Sequence, residues 1–178
     1  MKVWRNSNVY IVNGGIKKWK LHNPSVLTSN EPPKPPRGSF KATWNPNLII
    51  TYSDLLDYIN NSTAKEDISI FDARNATFYS GESVFSGAKS GGRIKGSVNL
   101  ASDLFLEEDG SLIVEQESLL QSISRNSQSP IVVYCNSSHQ SSALWFILQL
   151  NGRSSMNYDG SWFEWSHLAP DNTKESDQ

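Results

Sequence analysis

The first apolar run of the chain is Val9-Tyr10-Ile11-Val12, closed by Asn13-Gly14-Gly15. Four consecutive apolar positions ended by a Gly-rich turn predict a short buried strand. Ile16 to Leu21 then sets basic residues around Trp19 and predicts a short helix. From Pro24 to Pro46 the periodicity disappears. Pro32, Pro33, Pro35, Pro36 and Pro46, with Gly38, predict an extended connector, because each proline fixes φ and removes a backbone donor.

Beyond the connector, segments of the two periods alternate. Thr51-Tyr52-Ser53-Asp54 predicts the N-cap of a helix running to about Asn60, with Leu55, Leu56 and Ile59 on one face. Ile68-Ser69-Ile70-Phe71 predicts a strand ending at Asp72. Gly81 to Gly92 is a Gly/Ser-rich loop, and Ile94 to Leu100 contains a short extended piece. Glu115 to Ser124 has helical spacing. Pro130 precedes a strand at Ile131-Val132-Val133-Tyr134, Gln140 to Leu150 predicts a strong helix, and Ser155 to Tyr158 a last strand. Strands alternating with helices specify an α/β fold, with a mainly parallel sheet and helices on both faces.

One spacing recurs. Asn13-Gly14-Gly15-Ile16-Lys17-Lys18-Trp19 matches Asp159-Gly160-Ser161-Trp162-Phe163-Glu164-Trp165, and each copy follows an apolar strand pattern. The copies lie about one domain length apart. The economical reading is a tandem arrangement in which residues 1–23 are the end of a preceding domain and 24–47 a Pro-rich linker. Residues 48–168 are then the complete domain and 169–178 a flexible tail. A chance match of Gly and Trp is the competing explanation.

Composition narrows the function classes. The chain has 178 residues, 37% of them hydrophobic and 19% charged, enough to bury one domain's core. The formal net charge is -2, and no basic run suited to phosphate backbones occurs, so nucleic acid is not an expected partner. No apolar stretch has the length of a membrane span. A single Cys forms neither an intrachain disulfide nor a Cys-cluster zinc site. No metal and no cofactor is expected. A cytoplasmic location is the default, with a mitochondrial one as the alternative. Nothing here sets an oligomeric state.

That one thiol carries the chemistry. A hydrophobic strand runs straight into Cys135, and Asn136-Ser137-Ser138-His139-Gln140-Ser141 leads from it into a helix. In a parallel α/β sheet the carboxyl ends of the strands face the ligand crevice. A loop curling into a helix N-terminus turns its backbone N–H groups inward, a setting that stabilises a thiolate or a sulfur-bearing anion. The competing reading is a buried strand-end Cys acting as a small hydrophobe. Asp72-Ala73-Arg74 ends another strand. Arg74 either adds positive potential near the crevice or forms a structural pair with Asp72, and the second is favoured. The glycines of Gly92-Arg93-Ile94-Lys95-Gly96-Ser97-Val98-Asn99 read as structural. His139 reads as a solvated loop residue before it reads as a base, and Trp162, Phe163 and Trp165 as a core plug.

Together, Asp72-Ala73-Arg74, the Gly92 to Asn99 segment, Val133-Tyr134-Cys135 and Tyr158-Asp159-Gly160-Ser161-Trp162 resemble the ordered landmarks of the rhodanese family. The likeness is greatest to the C-terminal domain of tandem thiosulfate and 3-mercaptopyruvate sulfurtransferases, over roughly residues 48–168. Residues 9–31 resemble the end of a preceding domain plus linker. The resemblance implies a rhodanese-like α/β fold and sulfur transfer through a persulfide on Cys135. It implies that Asn136, Ser137, Ser138, His139, Gln140 and Ser141 cradle that persulfide, with Arg74 supplying nearby positive charge. The implied partners are a small sulfur donor and a thiol, thioredoxin or cyanide acceptor.

The departures from the family pattern are specific. Ser138 stands where active tandem enzymes usually have Gly, and His139 and Gln140 replace the usual small and threonine positions. Phe78 occupies the place of a substrate-binding arginine, and a second arginine used by some mercaptopyruvate enzymes is missing. These departures motivate the alternative of a catalytically impaired binding or regulatory module. A third class, the Cys-dependent phosphatase, needs an arginine six residues after the Cys; Ser141 stands there and cannot clamp phosphate.

Overall fold

In a computed structural model, residues 9–26, 31, 33–61, 68–113 and 129–178 are described. The strands are β1 (Ile49–Ile50), β2 (Ser69–Asp72), β3 (Arg93–Ile94), β4 (Val98–Asn99), β5 (Ile131–Tyr134), β6 (Ser155–Tyr158) and β7 (Lys174–Glu175). The helices are α1 (Gly15–His22), α2 (Tyr52–Asn60), α3 (Ala76–Ser80), α4 (His139–Leu150) and α5 (Ser161–Leu168). Five strands make one parallel sheet in the order β1-β6-β5-β2-β4, while β3 and β7 form a separate antiparallel pair.

All four residues of β5 are buried, as expected of a central strand covered on both faces. Period-two alternation sends Ile131, Val133 and Cys135 into one cluster with Phe71, Phe105 and the α4 residues Leu144, Ile147 and Leu148. Val132 and Tyr134 point the other way, to Leu55 of α2 and Trp162 and Trp165 of α5. Helices therefore cover both faces, as the alternation of periods predicts. Thr51 caps α2 by accepting a hydrogen bond from the Asp54 amide at 3.3 Å. Trp165 packs edge-on against Tyr52 and Tyr158, with ring centroids 5.4 and 5.9 Å away.

Three sequence expectations need correction. Val9 to Val12 is not a strand: Tyr10, Ile11 and Val12 are exposed, and no described strand pairs with the segment. Apolar runs become strands only where a neighbouring edge takes their backbone groups. The short extended piece expected within Ile94 to Leu100 is β4, set off from β3 by the Lys95-Gly96 turn. The expected flexible tail at 169–178 is built into the fold. β7 pairs with β3, Asp177 meets the Arg93 guanidinium at 2.8 Å, and its amide donates to the Ser80 carbonyl at 2.9 Å. Finally, the aromatic plug holds two members, since Trp162 and Trp165 are fully buried while Phe163 is 46% exposed. The short elements β1, α3 and β7 carry too few residues for a periodic signal. The helix expected at Glu115 to Ser124 lies outside the described residues.

α1 buries no residue and is tied by polar contacts to the turn after Leu106. Lys18 meets Asp109 at 3.0 Å, Lys17 donates to the Glu108 carbonyl, and the Leu112 amide donates to Asn13 Oδ1 at 2.8 Å. No described helix is long and apolar enough to cross a membrane.

Candidate active site

Cys135 follows the last residue of β5 at the carboxyl edge of the parallel sheet, and it is 1% exposed. The loop after it runs through Asn136, Ser137 and Ser138 into α4, which begins at His139. Two helix N-termini meet there. The first turn of α5 donates to the loop: Trp162 N–H to the Cys135 carbonyl at 2.9 Å and Phe163 N–H to the Asn136 carbonyl at 3.1 Å. On the α4 side, the amides of Asn136, Ser137, His139, Gln140 and Ser141 donate to no acceptor among the described residues. The loop at Cys135 thus offers unclaimed N–H donors and the positive end of a helix dipole, the ingredients for stabilising an anionic sulfur.

The loop is held by side chains that sequence reasoning passed over. Ser161 Oγ accepts from the Cys135 amide at 3.3 Å and from the Ser138 amide at 3.1 Å, while donating to the Tyr158 carbonyl at 3.0 Å. Asn157 Nδ2 donates to Ser138 Oγ. Ser138 (φ 65°) and Ser161 (φ 54°) are the two non-glycine residues with positive φ among the described residues, and both lie in this site. The left-handed region costs a residue with a Cβ roughly 1–2 kcal/mol, and such strain clusters at functional sites. The available sequence signal was the Asp159-Gly160-Ser161 turn ending β6, the strand beside β5. In a parallel sheet, adjacent strand ends converge on one crevice.

Arg74 pairs with Asp72, the structural arrangement that its sequence context favours. Its guanidinium is 1% exposed and fully engaged. It meets Asp72 at 2.5 Å, donates to the Gly92 carbonyl at 2.7 Å and to Asn136 Oδ1 at 3.3 Å, and lies over the Tyr134 and Trp162 rings at 5.7 and 5.3 Å. Burial alone would lower its pKa, but the hydrogen bonds and charge of Asp72 outweigh that and raise it, so the group stays cationic. Asn99 closes the knot by donating to the Asp72 and Arg74 carbonyls at 3.1 and 2.7 Å. Arg74 therefore braces three strand-end loops and reaches the Cys135 loop only through Asn136. Tyr134 lies beneath, its hydroxyl accepting from the Ile94 amide at 3.1 Å, and burial keeps its pKa well above the ordinary phenol value.

The remaining predicted residues divide by exposure. Ser137 and His139 are exposed, and neither side chain has a partner among the described residues. Gln140 is half-buried. Ser141 is fully buried with an unpartnered hydroxyl, on the α4 face that also carries Leu144. Phe78 is half-buried in α3. A groove of about 510 Å³ opens beside Ser137, lined by Asp159, Gly160, Phe163, Glu164, His167 and Leu168. Glu164 is tied down by the Tyr158 hydroxyl at 2.7 Å, and His167 Nδ1 by the Phe163 carbonyl at 2.8 Å.

The site is a lone thiol at a strand end of a parallel α/β sheet, beside the N-termini of two helices. The profile of the rhodanese-like domain matches residues 51–168, and the chain belongs to that family. Thiosulfate sulfurtransferase of Bos taurus is 29% identical over 177 residues, covering 97% of this chain and 58% of its own length. The sulfur carrier protein TtuD of Thermus thermophilus is 30% identical, covering 92% of this chain and 60% of its own length. The chain thus spans about three-fifths of these curated relatives. The crystal structure of Tum1 from Saccharomyces cerevisiae superimposes with a TM-score of 0.83 at 16% identity, over 99% of this chain and 63% of that one. It shares the fold.

Proposed function

We propose that this chain is a rhodanese-type sulfurtransferase that carries sulfane sulfur on Cys135. The observation that supports this most is the loop of unclaimed amides that begins at Cys135 and ends in the N-terminus of α4. The Cys135 thiolate attacks the outer sulfur of thiosulfate. The S–S bond breaks, sulfite leaves with the electron pair, and Cys135 holds an anionic persulfide. With 3-mercaptopyruvate the C–S bond breaks instead, and the carbon fragment takes the pair and a proton to become pyruvate. A thiol, thioredoxin or cyanide then attacks the terminal sulfur, and the Cys135 thiolate is released. The chain's own part is to supply the nucleophile and to solvate the persulfide's negative charge with backbone donors. Relatives named thiosulfate sulfurtransferase and sulfur carrier protein support the same chemistry. A thiol that works only when reduced suits the cytoplasm or the mitochondrial interior.

Intact mass after treatment with thiosulfate or 3-mercaptopyruvate tests this. The expected result is a gain of one sulfur atom that cyanide or dithiothreitol removes and that Cys135→Ser abolishes. No gain, or a gain that survives Cys135→Ser, overturns it.

A second reading, a rhodanese-like binding module with impaired turnover, is favoured by Phe78 at the family's arginine position and by the 1% exposure of Cys135. Stoichiometric loading with slow release to cyanide supports that reading. Repeated turnover at rates typical of sulfurtransferases rules it out.

A further inference from the structure

The polar groups of Ser138 are unevenly explained by the helix it caps. Its carbonyl accepts from the Ser142 amide at 3.1 Å, the ordinary first bond of α4, and its amide is taken by Ser161 Oγ. Its side chain bonds to a residue on another strand, Asn157, which stands opposite Val133 in the β6–β5 register. Asn157 is 7% exposed, and its second polar atom, Oδ1, is buried without a partner among the described residues. An amide buried in a strand interior is costly when half satisfied, so its presence there asks for a reason. The bond to Ser138 is the one side-chain interaction it makes among the described residues.

Ser138 in turn sits at φ 65°, a conformation its Cβ opposes, at the point where the loop from Cys135 turns into α4. If Ser138 relaxes to negative φ, the amides on both sides of it change direction. Those are amides of the loop that leads from Cys135 into α4.

We propose that Asn157 is a positioning residue for Cys135: its hydrogen bond holds Ser138 in the left-handed conformation that aims the loop's amides at the sulfur. The proposal rests on Cys135 being the working thiol, and it adds a residue from a neighbouring strand to that site. It makes a specific demand on the side chain at 138. A glycine there needs no clamp, whereas an alanine there keeps the Cβ and loses the hydroxyl.

Because Cys135 is the chain's one cysteine, its reactivity can be read directly from the rate of carbamidomethylation by iodoacetamide at pH 7.5, with no sulfur donor present. Asn157→Val and Ser138→Ala are each expected to slow alkylation about fivefold or more. In the Ser138→Gly background, the further penalty of Asn157→Val is expected to shrink below twofold. This coupling is what a purely structural role of Asn157 does not produce, and Ser138→Ala supplies the same test should Asn157→Val fail to fold. Equal penalties from Asn157→Val in both backgrounds, or full reactivity of Ser138→Ala, overturn the proposal. Persulfide loading from thiosulfate, followed on the same proteins, separates the two readings. Absence of loading in the unmodified chain with the alkylation coupling intact defeats the sulfurtransferase reading and leaves the clamp standing.

Discussion

Replacing Arg74 with alanine removes the cation from a site where its partner cannot be solvated. Asp72 is 0% exposed, and without Arg74 its carboxylate loses every guanidinium donor while keeping the backbone N–H of residue 74 at 3.0 Å. The Gly92 carbonyl and Asn136 Oδ1 lose their donors, and the faces of Tyr134 and Trp162 lose the stacked guanidinium. Breaking a buried ion pair by deleting one partner costs about 3–5 kcal/mol, most of it the uncompensated charge left behind. Arg74→Lys keeps the charge and forfeits the planar fork, so two acceptors go unserved and the expected cost is about 2 kcal/mol. Urea denaturation followed by tryptophan fluorescence measures both, with the m-value held as the check on two-state behaviour. The raised pKa of Arg74 adds a sign. Its contribution is complete below the ordinary arginine value and is lost only as pH rises through the folded one, so Arg74 itself adds no pH dependence to the unmodified chain's stability between pH 6 and pH 9. A loss below about 1 kcal/mol for Arg74→Ala would refute the bracing role. So would an Arg74→Lys variant that is as stable as the unmodified chain yet no longer takes up sulfur from thiosulfate.

Three further outcomes follow from the packing. Trp165→Ala empties a fully buried site between Tyr52 and Tyr158 and should cost about 3–5 kcal/mol in the same urea assay; a loss under 1 kcal/mol contradicts that packing. Gly92 has φ +105°, and a Cβ there would run into the Glu175 carbonyl, so Gly92→Ala should detach β7 and expose Glu175 to Asp177 to hydrogen exchange and proteolysis; unchanged protection of the C-terminal segment argues against the strap. The Ser111 hydroxyl and amide, then Lys18, hold the Asp109 carboxyl below the usual carboxylate range. A depressed acid stabilises above its unfolded pKa, near ~4, and that contribution fades as pH falls toward the folded value. NMR signals of the Asp109 to Ser111 turn should therefore stay constant from pH 8 to 5 and shift on further acidification, and Asp109→Asn should remove that shift.

The tail at 169–178 illustrates why sequence reasoning stopped where it did. Lys174 and Glu175 are two polar residues, too short a run to carry a period, and they become a strand because Arg93 and Ile94 present an open edge from eighty residues earlier. Val9 to Val12 errs the other way. Its apolar run is longer than β7, yet without a described edge beside it the segment stays exposed. Strand formation depends on a partner, and local sequence names only half of the pair.

The site divides along the same line. Cys135 was legible as a candidate because a four-residue apolar strand, a lone thiol and a polar turn into a helix are consecutive in the chain. So was the parallel α/β sheet, since its elements are long enough to show their periods and strand ends collect at one edge. Only the tertiary structure decided what the neighbours do. It spent Arg74 on Asp72, Gly92 and Asn136, and it brought Ser161 and Asn157 from the adjacent strand end to hold a loop some twenty residues away. Hydrogen bonds that close across parallel strands have no local signature, because the residues they join are set by the order of strands in the sheet.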